Sequence, residues 1–142
     1  MGAAPKFDAV PAFDTRTVAT LMTRNPRTAS PELSLEDLVN GIFLRHAVSF
    51  VPVVEDSILL GYVDAQIVRK IDREHWTTTK VEDVVESVNG SNTVFYDSSV
   101  TNLMQKVTRT GRRKFIVVDA HGLVGVISLS DLIAVLKVFD IR

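Results

Sequence analysis

The sequence predicts a mixed α/β (α+β) fold in which two β-α-β-β-α repeats pack as one pseudo-symmetric module. Three observations predict it. The chain matches itself at an offset of about 65 residues. Each copy carries one helical-period apolar stripe followed by two β-rich runs. Its 142 residues, 46% of them hydrophobic, suffice for one compact core. The self-match places Thr28 on Thr93, Leu35 on Val100, Leu38 on Leu103, Phe50 on Phe115 and Val53 on Val118; with one residue then deleted from the second copy, Gly61 falls on Gly125. The expected boundaries are an N-terminal arm over 1–17, a first repeat over 18–71, a connector over 72–80 and a second repeat over 81–142.

Taken in order, the arm holds Pro5 and Pro11 with little periodicity and reads as a segment that orders only on contact. A short extended piece surrounds Thr28. Ser34 then caps a helix in which Leu35, Leu38, Val39 and Ile42 recur at helical spacing, with Asp37 as the acid of a capping box. Phe50–Val54 and Leu59–Val63 flank the turn-like Glu55–Ser57 and form a hairpin. Pro52, lacking an N–H, points to an edge or to a side with no neighbour to serve. A helix over Ala65–Ile71 closes the copy. In the connector, Trp76 reads as a packed aromatic joining the two halves rather than a ligand platform. The second copy repeats the order: an extended piece at Thr93, the stripe Val100, Leu103, Met104 and Val107, then Gly111 as a left-handed C-cap. Its hairpin runs through Phe115–Val118 and Leu123–Ile127 around Asp119–Gly122, and its last helix from Leu129 to about Lys137.

Composition excludes several classes. Lys plus Arg number 16 against 17 Asp plus Glu, so the net charge of -1 exerts no global pull on nucleic acid or anionic lipid. With no cysteine there is neither a disulfide framework nor a thiolate metal site. His46, His75 and His121 lack ligand spacing, so no metal is expected. The apolar runs fall short of a membrane span and residues 1–15 do not pattern as a signal peptide, so the expectation is a cytoplasmic chain without membrane insertion. No nucleophile elbow, HExxH or glycine-rich phosphate loop is present; the chain reads as a non-enzyme that requires no cofactor.

One stretch carries chemistry. Gly125, having no Cβ, lets a ligand approach a strand end; Ser128 starts the last helix and Asp131 lies one turn on. A carboxylate there accepts two hydrogen bonds from a vicinal diol such as a ribose. The same Ser-x-x-Asp is also a capping box that needs no ligand, and both readings stand. The first copy offers Gly61-Tyr-Val-Asp-Ala-Gln-Ile67 instead, with Asp64 for the hydroxyl and Ile67 for the acid, so one competent cleft is expected. Arg109, Arg112, Arg113 and Lys114 form the strongest local field, where the first copy has Leu44, Ala47, Val48 and Ser49. No aromatic residue is interleaved with them, which leaves a nucleic-acid partner unsupported.

The order of elements, the repeat length, Leu21-Met-Thr-Arg-Asn-Pro26, Phe50-Val-Pro-Val-Val54 and Gly125-Val-Ile-Ser-Leu-Ser-Asp131 together resemble the cystathionine-β-synthase (CBS) domain, over nearly everything from Val18 onward. The resemblance implies a regulatory pair of repeats packed sheet to sheet, whose clefts take adenosine-containing ligands: AMP, ADP or ATP, with S-adenosylmethionine as a further candidate. It implies Asp131 on the ribose, Ser128 with Arg112, Arg113 and Lys114 on phosphate, and Thr93 with Val117, Val118 and Asp119 along the base, beside Gly125. It also implies a homodimer, through the helices at Leu35–Phe43 and Val100–Val107, that controls a fused or partner protein. The rival is a structural dimerisation module with vestigial clefts. Arg73-Glu-His-Trp-Thr-Thr-Thr-Lys-Val-Glu-Asp83, with Phe43-Leu-Arg-His46 before it, also resembles the CBS pair appended to bacterial membrane metalloproteases of the site-2 type.

Overall fold

A computed structural model describes residues 16–140, with side chains placed for 16–134. The expected arm lies outside the described residues except for Arg16 and Thr17. In chain order the elements are α1 (Val18–Leu21), β1 (Thr23–Arg24), α2 (Leu35–Leu38), a π-helical turn (Val39–Phe43), α3 (Leu44–His46), β2 (Phe50–Glu55), β3 (Ile58–Asp64) and α4 (Ala65–Arg69). Two 3-10 turns follow, Arg73–His75 and Val81–Asp83, and then β4 (Glu86–Ser87), β5 (Thr93–Phe95), α5 (Val100–Thr110), β6 (Lys114–Asp119), β7 (Gly122–Ser128) and α6 (Leu129–Asp140). Both expected hairpins form, and the fold is mixed α and β with two sheets.

The chain divides into two compact units, and each borrows from the other copy. One unit is Asn25–Asn89, with sheet order β2-β3-β4; the other joins the residues up to Arg24 to those from Gly90 on, with order β1-β7-β6-β5. The lead-in of the second copy thus completes the first sheet, and the lead-in of the first copy completes the second. Matching bonds hold both exchanges. Val81 N–H donates to Leu33 O at 2.8 Å and Leu35 N–H to Thr79 O at 2.9 Å; in the other unit Val18 N–H donates to Ser98 O at 2.8 Å and Val100 N–H to Arg16 O at 3.0 Å. Leu35 and Val100 open their helices, so each borrowed segment satisfies a donor that the helix leaves unpaired. Val81 and Val18, both fully buried, carry the borrowed segments into the cores around Leu35, Leu38 and Val63, and around Val100, Leu103 and Phe115.

Glycine makes the exchange sterically feasible. β4 pairs with β3 at Gly61↔Ser87, and β1 pairs with β7 at Arg24↔Gly125. A Cβ on Gly61 would stand 2.0 Å from Glu86 O, and one on Gly125 would stand 2.6 Å from Thr23 O and 2.9 Å from Met22 Sδ. The close approach expected at Gly125 is therefore taken by the chain's own backbone.

The helices differ by one residue. Ser34 and Ser99 cap them by accepting the Asp37 and Asn102 N–H groups, and left-handed Ala47 and Gly111 end them, after twelve helical positions in one copy and eleven in the other. The extra residue is absorbed in the π turn Val39–Phe43, as such insertions commonly are. From there on Phe50↔Asp64 and Lys114↔Ser128 are equivalent pairs, so Phe50 corresponds to Lys114, not Phe115. The self-match had put the single-residue difference in the hairpin; the structure puts it in the helix. Ser34 and Asp37 form only half of the expected box, since among the described residues Asp37 returns no side-chain bond. Pro52 behaves as expected: β2 is an edge strand, and the Pro52 carbonyl accepts from Ala29 N–H at 2.9 Å on the side away from β3. The nitrogen faces that same side, so no rung of the β2–β3 ladder is lost.

Gly125→Ala and Gly61→Ala should each destabilise the protein by about 1–3 kcal/mol or more through forced backbone displacement. Gly41→Ala, at a helical glycine whose Cβ would meet nothing within 4 Å, should be neutral or stabilising by up to about 1 kcal/mol. Urea denaturation of the three variants checks this, and equal effects would remove the close-approach argument.

Candidate nucleotide site

Alternation along the second sheet sorts the expected site residues by face. Phe115, Val117 and Ile127 join the core with Val94 and Leu103, so Thr93, Lys114, Val118 and Ser128 turn to the opposite face. Lys114 and Ser128 are cross-strand partners, and Arg113 O accepts Leu129 N–H at 2.6 Å, which ties the basic entry of β6 to the start of α6. Arg113, Lys114, Ser128 and Asp131 are thereby gathered at one end of the sheet. Lys114 and Arg112 are half-buried and Arg113 is exposed.

Ser128 and Asp131 cap α6 reciprocally: Asp131 N–H donates to Ser128 Oγ and Ser128 N–H to Asp131 Oδ2, both at 3.2 Å. This is the capping box that the spacing offered. Among the described residues Asp131 Oδ1 accepts no bond, so one carboxylate oxygen is held by the cap and the other is not. Both residues are half-buried, which fixes the carboxylate without sealing it.

The remaining expected residues are not gathered there. Val117 is fully buried on the helix side, and β6 lies between β5 and β7, so both edges of its backbone serve the sheet. Gly125 is its cross-strand partner, on the same buried side and covered by Met22 and Thr23. Asp119 sits at the hairpin end, roughly 16 Å along the strand from Lys114 at about 3.3 Å per residue, with Oδ1 accepting His121 N–H at 2.7 Å. Val118 stands on the face away from α5, but its carbonyl accepts Tyr96 N–H at 2.9 Å. Thr93 begins β5 on that face beside Ile116, which is fully buried.

The equivalent place in the first copy has a different chemistry. Phe50 stands for Lys114, Ser49 for Arg113, Asp64 for Ser128 and Ile67 for Asp131. Phe50 stacks on Tyr62 with ring centroids 4.7 Å apart, and Asp64 Oδ1 caps α4 by accepting Ile67 N–H at 2.8 Å. A phenylalanine and an acid thus occupy the positions of a lysine and a serine. The sequence alignment sets Ser49 against Lys114, because a Phe–Phe match hides the one-residue shift that makes Phe50 its equivalent.

Trp76 packs against the core of its own unit. Its Nε1–H donates to Ile71 O at 2.9 Å, Arg73 lies 5.4 Å over the ring, and the ring edges an apolar cavity of about 430 Å³ with Phe43 and Val68. The only His and acid grouping among the described residues, Asp72, Glu74 and His75, is exposed, with His75 Nε2 3.7 Å from Glu74 Oε2 as in a surface ion pair.

A sequence model of the CBS domain matches residues 18–73 and 78–138, and this chain belongs to that family. A curated relative, the putative zinc metalloprotease Rip3 of Mycobacterium tuberculosis, is 26% identical over 124 residues, which is 86% of this chain and 32% of that protein. The chain therefore spans about a third of the length of the relative it matches. The CBS domain of the bacterial CNNM/CorC family Mg2+ transporter in complex with ATP is similar with a TM-score of 0.75 and 23% identity, covering 88% of this chain and 89% of that one. CBSX2 in complex with AMP is similar with a TM-score of 0.69 and 22% identity, covering 86% and 97%.

Ser128→Ala and Asp131→Ala should each lower stability by about 1 kcal/mol, the usual loss on removing an N-terminal cap, and Asp64→Ala should do the same in the first copy. Thermal melts read this; an Asp131→Ala protein as stable as wild type would show that the capping bonds carry no weight.

Proposed function

We propose that the chain is a ligand-sensing regulatory module that binds one adenine nucleotide at the Lys114–Ser128 end of the second sheet and reports its occupancy to a fused or partner protein. The observation that carries the reading is the contrast between equivalent positions: Lys114, Ser128 and Asp131 in one copy against Phe50, Asp64 and Ile67 in the other. Asp131 takes the ribose diol on its unoccupied Oδ1, and Ser128 with Lys114 and Arg113 takes phosphate at the N-terminus of α6, where peptide dipoles favour an anion. Thr93 and Val118, on the same side of the sheet as Lys114, edge the base. The ATP and AMP complexes of the similar CBS structures support the ligand class, and AMP, ADP, ATP and S-adenosylmethionine all present the required diol.

The chain acts without chemistry of its own, as a homodimer through the helices around Leu35–Phe43 and Val100–Val107. Among the described residues no helix is long and apolar enough to cross a membrane. The similarity to Rip3 makes a membrane metalloprotease one candidate for that protein.

Calorimetry with AMP and ATP should return one site per chain. Asp131→Ala should weaken binding by about 2–4 kcal/mol, roughly 30- to 700-fold, whereas Asp64→Ala leaves affinity unchanged. Two equal sites, or full affinity in a folded Asp131→Ala protein, would leave Ser128 and Asp131 as a cap and the chain as a structural dimer. Charge reversal at Lys114 or Arg113 should cost ATP more affinity than adenosine, with the difference shrinking in high salt. Light scattering should show a dimer at micromolar concentration.

A further inference from the structure

A second pair of cations in this unit shares no residue with the set around Asp131. Lys106 and Arg109 stand three residues apart on α5 and so share one face of the helix. They border a cavity of about 250 Å³ whose wall includes Ser98, Asn102 and Gln105 over an apolar floor at Leu103. Each polar residue on that wall offers a donor, and among the described residues no carboxylate lines it. Asp97, the nearest acid in the chain, is exposed and lies outside the wall.

Lys106 is anchored in place. Its Nζ donates to Gly90 O at 2.8 Å and to Thr93 O at 2.7 Å, which uses two of three protons and leaves one. Burial, and then the charge of Arg109, lower its pKa from the ordinary lysine value. A lysine tethered to two carbonyls cannot swing away from Arg109 into water as a free surface lysine does, so the cavity keeps two positive charges side by side.

We propose that this cavity is an anion site for a phosphate group, either free inorganic phosphate or the phosphate of a small metabolite. Lys106 supplies the fixed point charge, the Arg109 guanidinium pairs with two oxygens, and Ser98, Asn102 and Gln105 donate to the rest. Because the same Nζ holds Gly90 and Thr93, an anion on Lys106 also steadies the entry to β5.

The test titrates nucleotide-free full-length protein with inorganic phosphate and, separately, with glycerol 3-phosphate, read by calorimetry and phosphorus NMR. Wild type and Arg45→Gln, a change at an exposed arginine of the other unit, should bind alike. Arg109→Gln, at an exposed position, should fold normally and bind at least about tenfold more weakly, as the loss of one charge-assisted contact implies. Lys106→Gln should weaken binding as well, with its fold checked by circular dichroism. A preference for glycerol 3-phosphate marks a metabolite, and equal affinity marks the free ion; either result supports the site. Absence of saturable binding by wild type, or a loss in Arg45→Gln with none in Arg109→Gln, would overturn it.

Discussion

Both sheets depend on one contact, a backbone crossing a glycine with no room for a side chain. At Gly61 the crossing segment is β4, and at Gly125 it is β1; in each case the crossing segment belongs to the other copy of the repeat. The lead-in before the crossing also supplies a buried valine and accepts the first free N–H of the long helix. A copy alone would therefore lack a strand, a core residue and a helix-terminal partner at once. Folding of the two copies is coupled by chain exchange, whatever else holds them together.

Against that symmetric frame, a one-residue difference in helix length redirects a whole strand. Side chains alternate faces every residue, so absorbing the insertion as a π turn decides which strand residue faces the helices and which faces away. In the first copy that position falls to Phe50, which is buried and stacks on Tyr62; in the second it falls to Lys114, beside Ser128. Apolar pairing at one and charge at the other make the two places chemically unlike. A shared fold does not make the two sites alike, because a ligand meets side chains and not topology.

Ser128 and Asp131 serve structure before they serve any ligand. Their reciprocal bonds hold the α6 terminus and lock the carboxylate with one oxygen engaged, so a ligand meets an acceptor whose position is already set. Preorganisation of this kind reduces the ordering that binding must impose. Lys106 follows the same principle at the other site, with two carbonyls fixing where its charge lies.

The sequence by itself determined the repeat, both hairpins, the helical stripes, the Gly111 cap, the Pro52 edge and the Ser128–Asp131 box, because each rests on local periodicity or on spacing within one turn. It also led to the CBS family and to the failing acid at Ile67, since motif spacing needs no third dimension. Tertiary structure alone decided four things. It showed that β1 and β4 change units, that Gly125 faces backbone, that Val117 and Asp119 lie away from the Lys114–Ser128 end, and that Phe50 rather than Ser49 is the equivalent of Lys114. The physical reason is common to all four. An insertion in a helix and one in a hairpin leave nearly the same apolar pattern, and a two-residue strand has no period to read, so only the paired backbones reveal which residues meet.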